Sequence, residues 1–539
     1  MKKLLSGNEA FAHGAWSAGL SFAAGYPGTP STEVLENLKF YSELECEWSV
    51  NEKAALETGV GASLGGARTL VTMKHVGLNV AADPLFTAGY VGVNGGFVIL
   101  VADDPAMHSS QNEQDSRHYA RAAKLPMLEP SDSHEAYHFM GHAFALSERF
   151  DTPVLMRSTT RLSHGQSVVC DMADADCRAA VPPGAFRKDP KKYVMMPAYA
   201  RPAHVRVEKR LQDIVSHQFP ELNRIEMGGD TSVGYITSGV AYTYLREIAP
   251  AASVLKLGLV HPLPEAIIRE FAAKVGKVVI VEELDPVLEN GVRSLGIACE
   301  GKSLLPLIGE FEPAMMARAL GLRAAFPAPR ALPEALRSIP IRMPALCPGC
   351  PHIAVFNVLS ALGAVVSGDI GCYTLGALPP YSAMDTCLDM GASITLAQGL
   401  EASNGLEKDT MLVAVIGDST FAHSGLAGLV NAAYNGRRTI VLVLDNGTTA
   451  MTGMQPNPTT GLTIKGRESF RFRYDLFAAS VGIEPENYAE VSAYKADEIR
   501  GALQKMHASK KLSLIVARGT CVILKRKQAK QAKAEGGAG

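Results

Sequence analysis

In LCPGCPH, Leu346 to His352, two thiols stand three residues apart across a Pro-Gly pair that dictates a tight turn. Such a pair can close a disulfide, hold zinc, act as a redox couple or supply half the ligands of an iron–sulfur cluster. Nine cysteines, an odd number, in a long chain without a signal-like N-terminus fit a reducing cytoplasm and disfavour the disulfide. Structural zinc wants four Cys or His ligands, commonly from a second Cys-x-x-Cys, and the sequence has none. A thioredoxin-like pair opens the helix after the first strand of a small domain, whereas Cys347 follows a Pro-rich stretch. A cubane cluster takes four thiolates, which need not be close in sequence. Cys372 lies in GDIGCYTLG after one strand-like run, Cys521 lies just beyond another in LSLIVARGTC, and Cys387 lies in MDTCLDMGAS.

A second constellation lies between Val415 and Gly453, in VIGDSTFAHSGLAGLVNAAYNGRRTIVLVLDNGTTAMTG. One strand ends at Gly417-Asp418, a helix follows, and the next strand ends at Asp445-Asn446-Gly447. Both loops therefore fall at the carboxyl edge of one parallel sheet, where ligands bind. Asp418 offers a carboxylate, Asn446 an amide oxygen, and the backbone around Thr448 free carbonyls. Such a small set of hard oxygens suits Mg²⁺, which completes its octahedron with phosphate oxygens and water. Gly417 and Gly447 let the backbone approach a diphosphate closely. A lone Gly-Asp after a strand is most often an ordinary turn, but the spacing to Asn446 resembles the thiamine-diphosphate signature. Ser419 stands where that signature usually has a third glycine.

Thiamine diphosphate needs a second half-site, a carboxyl group that holds the aminopyrimidine in its imino form. Glu52, in EWSVNEKAALETGVGASLGGA, opens a small-residue helix and could share a proton with the ring. The plainer alternative is a glutamate favoured at a helix N-terminus by the macrodipole. GYPGTPSTE, Gly25 to Glu33, reads as another helix start, with Thr29 or Ser31 as cap and Pro30 in the first turn. It could also meet a substrate carboxylate.

These residues require parallel sheets to position them. The 539 residues allow three or four domains, and 47% hydrophobic content allows several cores. Short apolar runs bounded by glycine or charge, such as GGFVILVA and MLVAVIG, read as buried parallel strands. RTLVTMK, TPVLMRSTTR, GKVVIVEEL, RRTIVLVLDNG and LSLIVARG read likewise, with helices between. The expectation is an α/β protein of three tandem units: 1–165, then a linker over 166–205, then 206–335 and 336–525. The Lys-rich end, 526–539, has no apolar face and reads as disordered. A net charge of −2 argues against nucleic acid, and no apolar run reaches the length of a membrane span.

Taken together, GYPGTPSTE, NEKAALETGVGASLGGARTLVTMKHVGLNVAADPLF, DDPAMHSSQNEQDSR, LCPGCPH, GDIGCYTLG and GDSTFAHSG resemble the large subunits of indolepyruvate:ferredoxin oxidoreductases. These belong to the 2-oxoacid:ferredoxin oxidoreductase family, and the resemblance runs over about residues 1–525. It implies a pyrimidine-binding domain, a transketolase-C-like domain and a diphosphate-binding domain, in that order. It implies oxidative decarboxylation of an aryl 2-oxoacid to an aryl-acetyl-CoA, using thiamine diphosphate, Mg²⁺ and a 4Fe–4S cluster. It makes Glu52 the activating glutamate, places Thr29 at the substrate carboxylate, and matches Asp418, Asn446 and Thr448 to the metal loop. His75, His108, Arg117 and His423 fall in the motif stretches near the expected cavity. Cys347, Cys350, Cys372 and Cys521 follow the family's order of cluster ligands, with Cys387 as rival for the fourth place. Cys46, Cys170, Cys177 and Cys299 are left as inert thiols. The family's usual ferredoxin-like run of cysteines does not occur in the sequence. A small subunit and a separate electron-acceptor protein are therefore expected partners in a cytoplasmic hetero-oligomer. The alternatives are a non-oxidative thiamine-dependent decarboxylase or carboligase, which needs no cluster, and a non-catalytic assembly subunit.

Overall fold

A computed structural model describes residues 2–173, 178–181, 184–322, 333–340, 342–403 and 405–536. Cys177 lies outside them. The chain forms two compact units, Met1–Pro329 and Arg330–Gly539.

The first unit carries a seven-stranded sheet in the spatial order Leu259–His261, Met127–Leu128, Val154–Thr159, Phe97–Asp103, Thr69–Lys74, Phe22–Gly25, Glu45–Trp48. All neighbours are parallel except the edge pair Leu259–His261 and Met127–Leu128. Thr69–Lys74, Phe97–Asp103 and Val154–Thr159 are buried throughout, as their unbroken apolar runs require. Helix Glu52–Leu64 lies on the sheet through its glycines. A Cβ at Gly59 would stand 2.5 Å from Val71 and 3.1 Å from Phe97. A five-stranded sheet, Cys299–Glu300, Lys277–Val281, Asp230–Ser238, Ala252–Leu257, Arg224–Glu226, shares a continuous core with the larger one through Ile236, Leu255 and Ile280.

The second unit is built on six parallel strands in the order Thr386–Cys387, Val365–Gly368, Leu412–Gly417, Ile440–Asp445, Ser513–Arg518, Tyr488–Ser492. Two cores cover its faces, one around Phe356, Val415 and Leu442 and one around Phe421, Val441 and Val516.

Three local readings are corrected. Residues 166–205 are not a featureless linker. Gln166–Val169 pairs antiparallel with Lys3–Ser6, and helix Pro197–His217 begins inside the stretch. Its buried residues, Ala203, Val207, Arg210 and Ile214, follow the helical period that the Pro- and Lys-rich residues before it obscure. Residues 526–536 are helical, continuing Val522–Gly536. Ala, Lys, Gln and Arg have high helix propensity, and no Gly or Pro interrupts them before Gly536. Finally, Ser31 stands at the N-cap of helix Thr32–Leu38 but makes no side-chain capping bond, and Thr29 lies outside the cap. The helix starts at Thr32, and the Ser31 hydroxyl donates back to the Gly28 carbonyl at 3.0 Å.

His261, on the edge strand of the larger sheet, has a buried Nε2 without a hydrogen-bond partner. Burial, with Arg121 and Lys124 nearby, pushes its pKa down to about 4. The unfolded chain takes up this proton near pH 6.5 and the folded chain resists it, so stability falls as pH drops from 6.5 towards 4. The loss from this group is at most about 3 kcal/mol. In thermal melts, His261→Gln should narrow the difference in Tm between pH 7 and pH 4.5. An unchanged difference would show that the histidine does not contribute.

Candidate active site

In the second unit the site residues meet because their strands are neighbours. Leu412–Gly417 and Ile440–Asp445 run parallel with Gly417 opposite Leu444, so Asp418 and Asn446 emerge side by side at the carboxyl edge. The two loops are clasped. Asp418 accepts from the Gly447 N–H at 3.0 Å through one oxygen and from its neighbour Ser419 N–H at 2.7 Å through the other. The Thr459 hydroxyl adds a longer contact at 3.4 Å. The Asn446 amide oxygen accepts from the Thr448 N–H at 3.0 Å. Gly447 has φ +74°, a left-handed turn that glycine takes without strain. At Gly417 a Cβ would stand 2.7 Å from the Tyr373 ring, so any side chain there would push the loop off its strand.

Asp418 is 2% exposed. Burial, and then repulsion from Asp445, push its pKa up to about 8 against the two backbone bonds that favour the charged form. A divalent cation at this edge would offset both burial and repulsion. The donor set of carboxylate, amide oxygen and loop carbonyls therefore fits Mg²⁺. Just beyond Asp418 the helix takes a π-helical turn, Phe421–Gly425, which holds His423 buried with its Nδ1 2.6 Å from the Ser424 hydroxyl. Sequence spacing gives no sign of such a turn.

The four thiols converge from three segments of the chain. Cys350 N–H bonds the Cys347 carbonyl at 2.9 Å across Pro348-Gly349, and Gly349 has φ +79°. This turn packs on the segment after strand Ser513–Arg518. At Gly519 a Cβ would fall 2.6 Å from Pro351, so glycine permits the approach. Cys347, Cys350, Cys372 and Cys521 all line one cavity of about 150 Å³, with Asn446 on its wall and otherwise largely apolar surroundings. Burial pushes Cys350 up to about 11, and the neighbouring thiols Cys347, Cys372 and Cys521 add to it. Cys387 does not line this cavity. It ends an edge strand, with its thiol 3.6 Å from the Asp369 carbonyl. Among the described residues no three His, Cys, Asp or Glu side chains converge as ligands of a single ion. Four thiols line this cavity, the number of thiolates that a cubane cluster takes. The Cys521 N–H donates to the Asn446 carbonyl at 3.0 Å, so this cavity and the Asp418 loop share a residue.

In the first unit, Glu52 is 5% exposed at the start of its helix, whose N-cap, Asn51, accepts from the Ala54 N–H at 2.8 Å. A Cβ at Gly77 would lie 2.5 Å from a Glu52 carboxylate oxygen, so glycine at 77 makes room for that side chain. Gly77 belongs to helix His75–Val80. His75, at its first position, is 1% exposed, and burial lowers its pKa against the pull of Asp103. Thr29 precedes a cis proline, and its carbonyl lies 3.5 Å from the Ser109 hydroxyl. Ser109 also accepts from Lys74, whose Nζ reaches the Ser109 carbonyl at 2.6 Å. Lys74 is a residue that sequence reasoning missed. Burial pushes its pKa down to about 8. Arg117 is buried and ion-paired 2.6 Å from both Asp115 and Glu282. His108 is exposed and pairs with Glu310 at 3.3 Å. Of the thiols left aside, Cys46 is buried, and Cys170 and Cys299 are partly so.

The family model described as "Pyruvate flavodoxin/ferredoxin oxidoreductase, thiamine diP-bdg" matches residues 13–221. That described as "Thiamine pyrophosphate enzyme, C-terminal TPP binding domain" matches residues 369–517. The indolepyruvate oxidoreductase subunit IorA of Methanothermobacter thermautotrophicus is 42% identical, over 90% of this chain and 81% of that one. The chain belongs to the IorA family. The Archaeoglobus fulgidus relative of the same name is 40% identical over 97% of this chain and 87% of its own. A solved 2-oxoglutarate:ferredoxin oxidoreductase from Magnetococcus marinus aligns with a TM-score of 0.49 at 17% identity, over 59% of this chain and 65% of that chain. The fold is α/β with thiamine-diphosphate-binding domains, and the chain is an enzyme of the 2-oxoacid:ferredoxin oxidoreductase class. Among the described residues no helix is long and apolar enough to cross a membrane.

Proposed function

We propose that this chain is the thiamine-diphosphate-binding subunit of an enzyme that oxidatively decarboxylates an aryl 2-oxoacid of the indolepyruvate or phenylpyruvate type. The product is the aryl-acetyl-CoA, and electrons leave through a 4Fe–4S cluster. The aryl preference is supported by the name of the relatives. A small subunit and a separate electron acceptor complete the hetero-oligomer. Asp418, Asn446 and the Thr448 backbone would hold Mg²⁺, while Gly417 and Ser419 face the diphosphate. Glu52 would hold and exchange a proton at the aminopyrimidine, Thr29 would meet the substrate carboxylate, and His75 would support that side as a neutral imidazole. When bound, thiamine diphosphate supplies the carbon nucleophile and electron sink, and the cluster supplies the one-electron exit.

The observation that carries the oxidative reading is the convergence of Cys347, Cys350, Cys372 and Cys521 on one cavity that also touches Asn446. A non-oxidative decarboxylase or carboligase has no use for it. Protein purified anaerobically with its small subunit should contain about four irons per chain, from one cluster of four thiolates, together with sulfide and thiamine. Serine at position 347, 350, 372 or 521 should abolish the low-temperature EPR signal of the reduced cluster, and Cys387→Ser should preserve it. Absence of iron would return the non-oxidative reaction to the lead. Dependence on Cys387 in place of Cys521 would overturn the ligand set.

A further inference from the structure

The helix that follows the fourth thiol has no role in the reaction proposed above. Val522–Gly536 begins at the residue after Cys521. Its root is fixed. The Cys521 carbonyl accepts from the Lys525 N–H at 3.0 Å, and the Lys525 ammonium lies 5.1 Å from the centre of the Tyr494 ring. The Tyr494 hydroxyl in turn donates to the Thr520 carbonyl at 2.8 Å. Val522 and Ile523 line the thiol cavity. Past this root the character changes. Lys525, Arg526, Lys527 and Lys530 are all exposed, and no acidic residue occurs between 522 and 534. From Lys525 to Ala532 every residue is Lys, Arg, Gln or Ala, and all are exposed. This stretch therefore has no apolar stripe to bury, and bridging to another body is one of the roles open to a helix that is polar all round.

We propose that this helix is the docking face for an acidic one-electron carrier protein, holding it beside the thiol-bound cluster; the inference rests on the cluster reading above. The charge argument is local. The whole chain carries −2, yet four cations fall within six residues that begin two positions after the cavity-lining Ile523. Electron-transfer partners typically meet over small interfaces and dissociate quickly, so charge complementarity must find the partner and set its orientation. A concentrated positive field next to the electron exit does both for an acidic carrier. A membrane surface is the weaker occupant, because interfacial helices need a face of Trp, Phe or Leu opposite their cations.

The test uses the full chain, purified anaerobically with its small subunit, with an acidic two-cluster bacterial ferredoxin as probe and methyl viologen as a small control acceptor. In Arg526→Glu/Lys527→Glu/Lys530→Glu, iron content and the viologen-linked rate should match wild type. The second-order rate with ferredoxin should fall tenfold or more at low salt. The wild-type advantage should shrink as ionic strength rises. An unchanged ferredoxin rate in an iron-replete variant overturns the docking inference alone. Wild-type protein without iron overturns the cluster reading and this inference with it. Binding of the wild type to phosphatidylglycerol vesicles, with ferredoxin rates unaffected by the substitutions, would assign the helix to a membrane surface and overturn the inference.

Discussion

Asp418→Ala should weaken the joint binding of thiamine diphosphate and Mg²⁺ by on the order of 10²–10⁴-fold, with the fold retained. The estimate follows from the ~3–5 kcal/mol typical of removing one partner from a buried charge pair. Here the pair would be the carboxylate and the cation that offsets the diphosphate. The fold should survive because the lost carboxylate is itself repelled by Asp445, and the Gly447 N–H keeps a second acceptor in Asp445 at 3.1 Å. The same geometry gives a pH dependence with a definite sign. With its pKa raised to about 8, Asp418 is mostly protonated at neutral pH. Mg²⁺ must displace that proton, so apparent affinity should rise as pH increases through 6 and 7 and flatten above about 8. Calorimetric titration of wild type and variant, each at several pH values, checks both statements. Wild-type affinity in the alanine variant would remove Asp418 from the metal site.

How much of this could be read from sequence depends on whether a residue's partners lie in its own motif. Strands Leu412–Gly417 and Ile440–Asp445 are unbroken apolar runs that end in Gly-Asp and Asp-Asn-Gly. Parallel pairing then brings those ends together without further information. The cysteines were harder, because order along the chain does not say which thiols meet. Strand order decides it. Ser513–Arg518 lies beside Ile440–Asp445, so Cys521 arrives next to Asn446, while Cys387 is carried out on the opposite edge strand. Two local motifs that look alike also diverge. Gly368-Asp369 and Gly417-Asp418 both follow buried strands, but the Asp369 carboxylate accepts from three backbone N–H groups, of Ile370, Gly391 and Ser393, at 2.8–2.9 Å. Asp369 thus pins the start of helix Ala392–Ala402. Arg117 shows the same limit. Its stretch is a family motif, yet its charge is consumed by Glu282, which lies 165 positions away in sequence. At the terminal helix two signals conflict: the missing apolar face points to disorder, while residue propensity alone favours helix.

Glu52→Gln should leave thiamine diphosphate binding close to wild type and slow exchange of the cofactor's C2 proton by ~10²–10⁴-fold, the usual worth of positioned acid–base help. The amide has almost the same shape as the carboxyl group, so packing against Gly77 and the Asn51 cap should persist. What it lacks is the ability to give up and regain a proton at the aminopyrimidine. Gly77→Ala separates chemistry from placement. Residue 77 lies within a helix, where alanine is at ease, but its Cβ would fall 2.5 Å from a Glu52 oxygen and must move the carboxyl group. That variant keeps a titratable group in a displaced position. It should also slow exchange, by less than the glutamine does, with cofactor affinity again little changed. Hydrogen–deuterium exchange at C2, followed by NMR on both variants, measures this directly. If exchange is unchanged in Glu52→Gln, the glutamate has no part in activating the cofactor. If it falls only there and not in Gly77→Ala, the glutamate acts but its seat against Gly77 does not tune it.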